Sequence, residues 1–190
     1  MDVPAASGGP QEMIARAVSP AGTNPLTFSM QSQLQTEWCW AATAASVSAF
    51  YKDVPTLSQC QIASDCLSVP CCITPLPPPP PPDWEGNRWY TLDVALSVAG
   101  HRAGPPIQGP LDFPAIVAEI DAGRPVCCHI LWDQDSPGDG HFNAIIGYDG
   151  VNRDVVVRDP STTYGDGTFP YETFKSNYYG GKWDGTYLTR

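Results

Sequence analysis

The residues best suited to chemistry lie in Gln33-Leu34-Gln35-Thr36-Glu37-Trp38-Cys39-Trp40-Ala41-Ala42. One cysteine stands there ahead of a segment, Ala41 to Tyr51, that has no Gly or Pro and is rich in alanine. That composition predicts a helix from about Trp38 to Tyr51. Cys39 then falls in the first turn, where unpaired backbone N–H groups and the positive end of the macrodipole favour a thiolate. A thiolate so placed is a nucleophile for acyl transfer.

Such a nucleophile needs a base to take and return a proton, and a third group to fix the base's tautomer. The chain offers three histidines. His101, in the polar turn Gly100-His101-Arg102-Ala103-Gly104, reads as a solvated loop residue. His129, inside Val126-Cys127-Cys128-His129-Ile130-Leu131, reads as a half-buried core histidine. His141 opens a strand after Asp139-Gly140, exposed on one side and anchored on the other, so it is the expected base. Strands 141–148 and 154–159 are joined through Asp149-Gly150. A hairpin centred near Val151 sets Asp159 opposite Asn143 and diagonal to His141, about 7–8 Å away by backbone, a gap two side chains can close. A one-residue slip would turn Asp159 to the other face and leave Asp159-Pro160 as a strand-ending turn. For a developing oxyanion, the Gln33 amide and the Cys39 backbone N–H are candidate donors, with Gln31 and Gln35 as rivals to Gln33.

The rest of the sequence outlines the scaffold. Ser58 can cap a short helix through Gln61, Ile62 and Ala63. Apolar spacing predicts helices over Trp89–Ala99 and over Asp112–Ala122, the second capped by Asp112. After Gly123 the pattern turns to strands at 125–132, 140–149, 153–159 and near 186–189. Helices first and strands last give an α+β fold with a mainly antiparallel sheet. The six prolines Pro77 to Pro82 form a stiff polyproline II stretch, either a rigid surface loop or an SH3-type ligand. Residues 1–26, small and polar with Gly8-Gly9-Pro10 and Pro20, read as a flexible tail or leader.

A length of 190 residues suits one domain, 27–190, with a helical part to 123 and a β part from 124. Its 20 tryptophans, tyrosines and phenylalanines argue for an ordered core despite 21 prolines and 17 glycines, so the fold should be rich in structured loops. A net charge of −10 opposes phosphate backbones and anionic membranes, so no nucleic acid is expected as partner. Neither a membrane span nor a Sec-type signal is visible. Seven cysteines are an odd set. With Cys39 set aside, Cys60, Cys66, Cys71 and Cys72 fit disulfides of an oxidising destination better than zinc, because no histidine is near and the spacing is not that of paired knuckles. Cys127 and Cys128 are either small core residues or a further bridge.

Three segments together then carry a resemblance: Gln33 with Cys39-Trp40-Ala41-Ala42, Gly140-His141-Phe142-Asn143-Ala144-Ile145-Ile146-Gly147-Tyr148-Asp149, and Val155-Val156-Val157-Arg158-Asp159-Pro160. In order and spacing the chain resembles a papain-like cysteine protease over roughly residues 27–189. It is most similar to the bacterial branch that includes AvrRpt2-type effector proteases and C39-like peptidases. The resemblance implies Cys39 as nucleophile, His141 as general base and acid, Asp159 as its orienter and Gln33 as oxyanion donor. It also implies a helical lobe facing a β lobe. Asp159 and Thr36 stand where plant and lysosomal papain-type enzymes have Asn and a further Cys, so their disulfide scheme does not transfer. The expected activity is endoproteolysis of a protein or peptide substrate through a thioester, without cofactor or metal. The chain is expected to be a monomer that a bacterium secretes or delivers as an effector or toxin, with an inhibitor or immunity protein as a further partner. The same three residues would also serve a transglutaminase or deamidase, and an inactive fold would serve as a binding module.

Overall fold

Helix α1, Cys39–Phe50, has no polar face to show solvent: every residue from Cys39 to Ser48 is buried. A helix apolar all round belongs at the centre of a fold, and its alanines let neighbours approach closely. In this computed structural model, which describes residues 25–52, 56–73, 84–132 and 140–190, α1 is covered by α2, Gln59–Leu67, and α3, Leu92–Val98. Ser58 caps α2 in a capping box with Gln61, as its sequence position predicts. The chain continues through β1, Ile107–Gln108; α4, Phe113–Asp121; β2, Val126–Leu131; β3, Gly140–Asp149; β4, Asp154–Arg158; β5, Gly167–Pro170; α5, Tyr171–Ser176; and β6, Lys182–Leu188. Residues 77–82 and most of the expected tail lie outside the described residues.

The strands form one antiparallel sheet in the order β1-β6-β2-β3-β4-β5. The α+β expectation holds. Side chains alternate across the sheet and build two cores. Cys127, Phe142, Ala144, Ile146 and Val156 pack with α1, α2 and α3. Val126, Cys128, Ile130, Ile145, Val155 and Val157 pack on the other face with Phe113, Ile116 and Ile120 of α4 and Tyr171 and Phe174 of α5. Helix α4, capped by Asp112, therefore packs with the β part, although it precedes residue 124. Cys127 and Cys128 point into different cores, so both are core thiols and do not bridge. Cys60 and Cys72 form a disulfide, which takes two thiols out of the zinc reading; Cys66 and Cys71 are buried free thiols.

The β3–β4 hairpin has a four-residue turn, 150–153, with Asp149 paired to Asp154. Carried on regularly, that register would set Asp159 opposite Ala144, on the face covered by α1. A bulge at Ile146 adds one residue to β3, and beyond it Ala144 pairs with Arg158. Asp159 thereby comes opposite Asn143, as the Val151-centred hairpin predicts, but by way of a bulge. The bulge is tied down from outside the sheet. Leu26 N–H donates to the Ile146 carbonyl at 2.7 Å, and a Cβ on Gly147 would lie 2.9 Å from the Pro25 Cα.

Candidate active site

Cys39 is the first residue of α1, with Trp38 at the N-cap. First-turn N–H groups have no carbonyl one turn earlier to bind, so they remain donors for a negative charge. The approach to Cys39 is gripped by the loop at 84–90. Trp38 Nε1–H donates to the Gly86 carbonyl at 2.7 Å, Trp40 Nε1–H to the Arg88 carbonyl at 3.1 Å, and Glu37 N–H to Asn87 Oδ1 at 3.0 Å. Both indoles are fully buried, and they set the start of the helix rigidly in its core.

His141 opens β3 and lies within hydrogen-bonding reach of the Cys39 thiol on one side. On the other, its Nε2–H donates to Asp159 Oδ1 at 2.7 Å. Burial pushes the imidazole's pKa down, but the Asp159 carboxylate and the Cys39 sulfur outweigh it and hold His141 up at about 9. Trp132 stacks on the imidazole with ring centres 6.0 Å apart, and Tyr164 meets it edge-on at 5.5 Å.

Asp159 lies just beyond β4, its side chain sealed from solvent. A buried carboxylate has to be hydrogen-bonded, and this one accepts three bonds. His141 Nε2–H and Ser161 N–H reach Oδ1, both at 2.7 Å, and the Tyr178 hydroxyl reaches Oδ2 at 2.7 Å. Tyr178 was not among the residues singled out from sequence; Asn177-Tyr178-Tyr179-Gly180 signals only a turn.

Gln33 is close to this group: its backbone N–H donates to the Pro160 carbonyl at 2.9 Å, tying the segment before Cys39 to the Asp159-Pro160 turn. Its amide points elsewhere. Nε2 donates to the carbonyls of Gln35 at 3.0 Å and Thr36 at 2.7 Å, which uses both hydrogens, while Oε1 is buried without a partner. In this conformation Gln33 has no hydrogen left for an oxyanion. Of its rivals, Gln35 is buried, and the Gln31 side-chain carbonyl accepts from Gln59 Nε2 at 3.3 Å.

The other histidines have separate surroundings. His101 is buried rather than solvated, stacked on Tyr51 at 4.5 Å with Nδ1 2.6 Å from the Arg190 carbonyl. His129 is buried on β2 with Nδ1 2.6 Å from Asp184 Oδ1, a second His–Asp pair with no thiol attached. No group of three His, Cys, Asp or Glu among the described residues has a geometry that would hold a metal.

The arrangement joins a thiol at a helix N-terminus to an imidazole and a buried carboxylate, a set able to make and break acyl bonds. A solved structure of similar fold is the peptidase domain of Streptococcus ComA, a bi-functional ABC transporter involved in a quorum sensing pathway. It aligns with a TM-score of 0.53 and 17% identity over 85% of this chain and 98% of that domain. At that identity the likeness is one of fold. No curated protein sequence matches the chain closely enough to count as a relative. Residues 25–186, most of the chain, match the Peptidase_C39 like family, and the protein belongs to that family as a papain-like cysteine peptidase.

Proposed function

We propose that the protein is an endopeptidase in which Cys39, His141 and Asp159 act as a catalytic triad. The observation that carries this reading is His141 held between the Cys39 thiol and the Asp159 carboxylate. His141 takes the thiol proton, and the thiolate attacks the peptide carbonyl carbon. The tetrahedral oxyanion is met by the backbone N–H of Cys39 and by Gln33, whose amide exchanges its bond to the Gln35 or Thr36 carbonyl for one to the oxyanion. The C–N bond breaks as the imidazolium gives its proton to the leaving amine, and a thioester remains. His141 then takes a proton from water as the hydroxyl adds to the thioester. Collapse releases the acid, and the proton returns to sulfur. Asp159 keeps Nε2 as the donor side of the ring, so that Nδ1 faces sulfur.

Incubation of the purified chain with denatured casein, followed by mass spectrometry, tests this. Cleaved peptides from the wild type and none from a folded Cys39→Ala variant are expected. Uncut substrate with glutamine side chains changed in mass would instead support amide transfer or deamidation. Equal cleavage by Cys39→Ala would overturn the assignment.

The Cys60–Cys72 bridge supports a further part of this reading, in which a bacterium secretes or delivers the enzyme to an oxidising setting as an effector or toxin, opposed by an inhibitor or immunity protein. Protein recovered from its source without reductant should then titrate, when denatured, with five free thiols. Seven would place it in a reducing compartment.

A further inference from the structure

Asp159 is buried more completely than its partnership with His141 alone explains. Two of its three hydrogen bonds, from His141 and Ser161, fall on Oδ1. The donor the structure gives to Oδ2 is the phenol of Tyr178, itself without exposed surface. Tyr178 is fixed as firmly as the residues it serves. It forms the base of a tight turn, exchanging backbone hydrogen bonds with Gly181 at 2.8 and 2.9 Å, while Tyr179 and Gly180 between them both have positive φ. That is the signature of a type I′ turn. Gly180 N–H is capped by Asn177 Oδ1 at 2.9 Å. The same turn seats Trp132 against His141: a Cβ on Gly181 would lie 2.4 Å from the Trp132 ring. Phe169 and Phe174 meet the Tyr178 ring edge-on at 5.2 and 5.1 Å.

We propose that Tyr178 is a positioning residue for the triad: its hydroxyl holds Oδ2 of Asp159 so that Oδ1 faces His141, and it shares the carboxylate's charge. This rests on the triad reading above. Burial and the adjoining carboxylate push the phenol's pKa far above its ordinary value, so it remains a donor across the working pH range. The ionisable groups around the His141–Asp159 pair are Cys39 of α1, Tyr164 and Tyr178, and Asp166, which accepts from Asp159 N–H at 3.2 Å and pairs with Arg158 at 3.4 Å. Of these, the Tyr178 hydroxyl is the one that donates to the carboxylate. Loss of the phenol hydrogen leaves the carboxylate more basic, so it holds the His141 proton to higher pH. A stronger phenol donor does the reverse.

The test uses the full chain and needs no natural substrate: the pH dependence of Cys39 alkylation by iodoacetate, an anion that reacts fastest with a thiolate beside an imidazolium and slows when that proton is lost, read at the Cys39 peptide by mass spectrometry. Casein-peptide hydrolysis supplies kcat and KM. Tyr178→Phe keeps the ring and should raise the upper pH limit by about 0.5 to 1 unit, with kcat lowered about tenfold at unchanged KM. Replacing Tyr178 with 3,5-difluorotyrosine, which keeps the shape and strengthens the donor, should move the limit to lower pH. Tyr171→Phe removes a buried hydroxyl bound to the Leu111 carbonyl in the same core and should leave the limit where it is. A wild-type limit near pH 9 that neither Tyr178 replacement moves, or that Tyr171→Phe moves as far, overturns this inference alone. A wild-type Cys39 that alkylates with no imidazole limit overturns the triad reading and this inference with it.

Discussion

His141 carries a proton that burial alone would strip from it. Desolvation disfavours the imidazolium, while Asp159 and Cys39 favour it and prevail, up to about pH 9. The sign follows directly: a pKa raised above the ordinary histidine value means that the reactive pair persists through neutrality and is lost as pH rises past about 9. The rate kcat/KM should therefore fall on the alkaline side with a midpoint near 9. Asp159→Asn removes the charge but keeps an oxygen acceptor for Nε2, so the midpoint should move to lower pH. A pH–rate series on both proteins checks this, and an unmoved midpoint would count against Asp159 as the charge that holds His141. Gln33→Ala should lower kcat by about 10²- to 10³-fold if the amide swings to the oxyanion. A change below threefold would leave the backbone donors to act alone. Cys39 and His141 were legible because chemistry restricts residue type: one cysteine opens an alanine-rich helix, and one histidine opens a strand beside a glycine. Gln33 was named as well, but the direction of its amide and the bond from Tyr178 to Asp159 were not legible, because a rotamer and a turn place those single polar atoms.

Asp159 reaches His141 through an irregularity in β3. The turn at 150–153 alone would set Asp159 on the wrong face, and the bulge at Ile146 corrects it. Because Pro25 and Leu26 close over the bulge, the chain's approach to the domain helps to hold the site. Gly147→Val would drive a branched side chain into Pro25 and Val156, both within 3.3 Å of the added Cβ, and overpacking of this kind costs about 1–3 kcal/mol. The expected result is a matching loss in chemical denaturation together with reduced labelling of Cys39. Unchanged stability would mean that the Pro25 contact does not secure the bulge. Helices α1 to α4 and strands β2, β3 and β4 were readable from composition, periodicity and caps. Strands β1 and β5 and helix α5, of two, four and six residues, are too short to show a period; they form only because longer neighbours offer an edge or a face. The apolar run Ala144 to Ile146 does not betray the bulge, and its one sequence signal is Gly147 inside the strand.

At the scale of the whole molecule, the candidate site gathers side chains from three places: Cys39 from the helices packed on one face of the sheet, His141 from β3 of the sheet itself, and Tyr178, which bonds Asp159, from the other core. The link from Gln33 N–H to the Pro160 carbonyl ties the segment before Cys39 to the Asp159-Pro160 turn. The Cys60–Cys72 bridge, twelve residues apart in sequence, staples the α2 end of the helical side. Loop-closure entropy gives it a stabilisation of about 3 kcal/mol. Cys60→Ser/Cys72→Ser should lower the unfolding midpoint in urea while leaving Cys39 reactivity of the folded protein unchanged; lost reactivity at full folding would mean that the bridge shapes the site itself. The general order of helices before strands was readable from sequence, but the packing of α4 on the β side was not, because chain order does not say which face of a sheet a helix covers. The most direct measurement of the central claim is labelling of the native protein near pH 6 with a peptidyl epoxide, mapped by mass spectrometry and repeated on His141→Ala. The other described free thiols are buried, with burial holding Cys66 up at about 11 and Cys127 at about 12, so they compete poorly for the probe. Modification at Cys39 alone and its loss in the variant are expected; labelling at another cysteine, or equal labelling of Cys39 without His141, would contradict the triad.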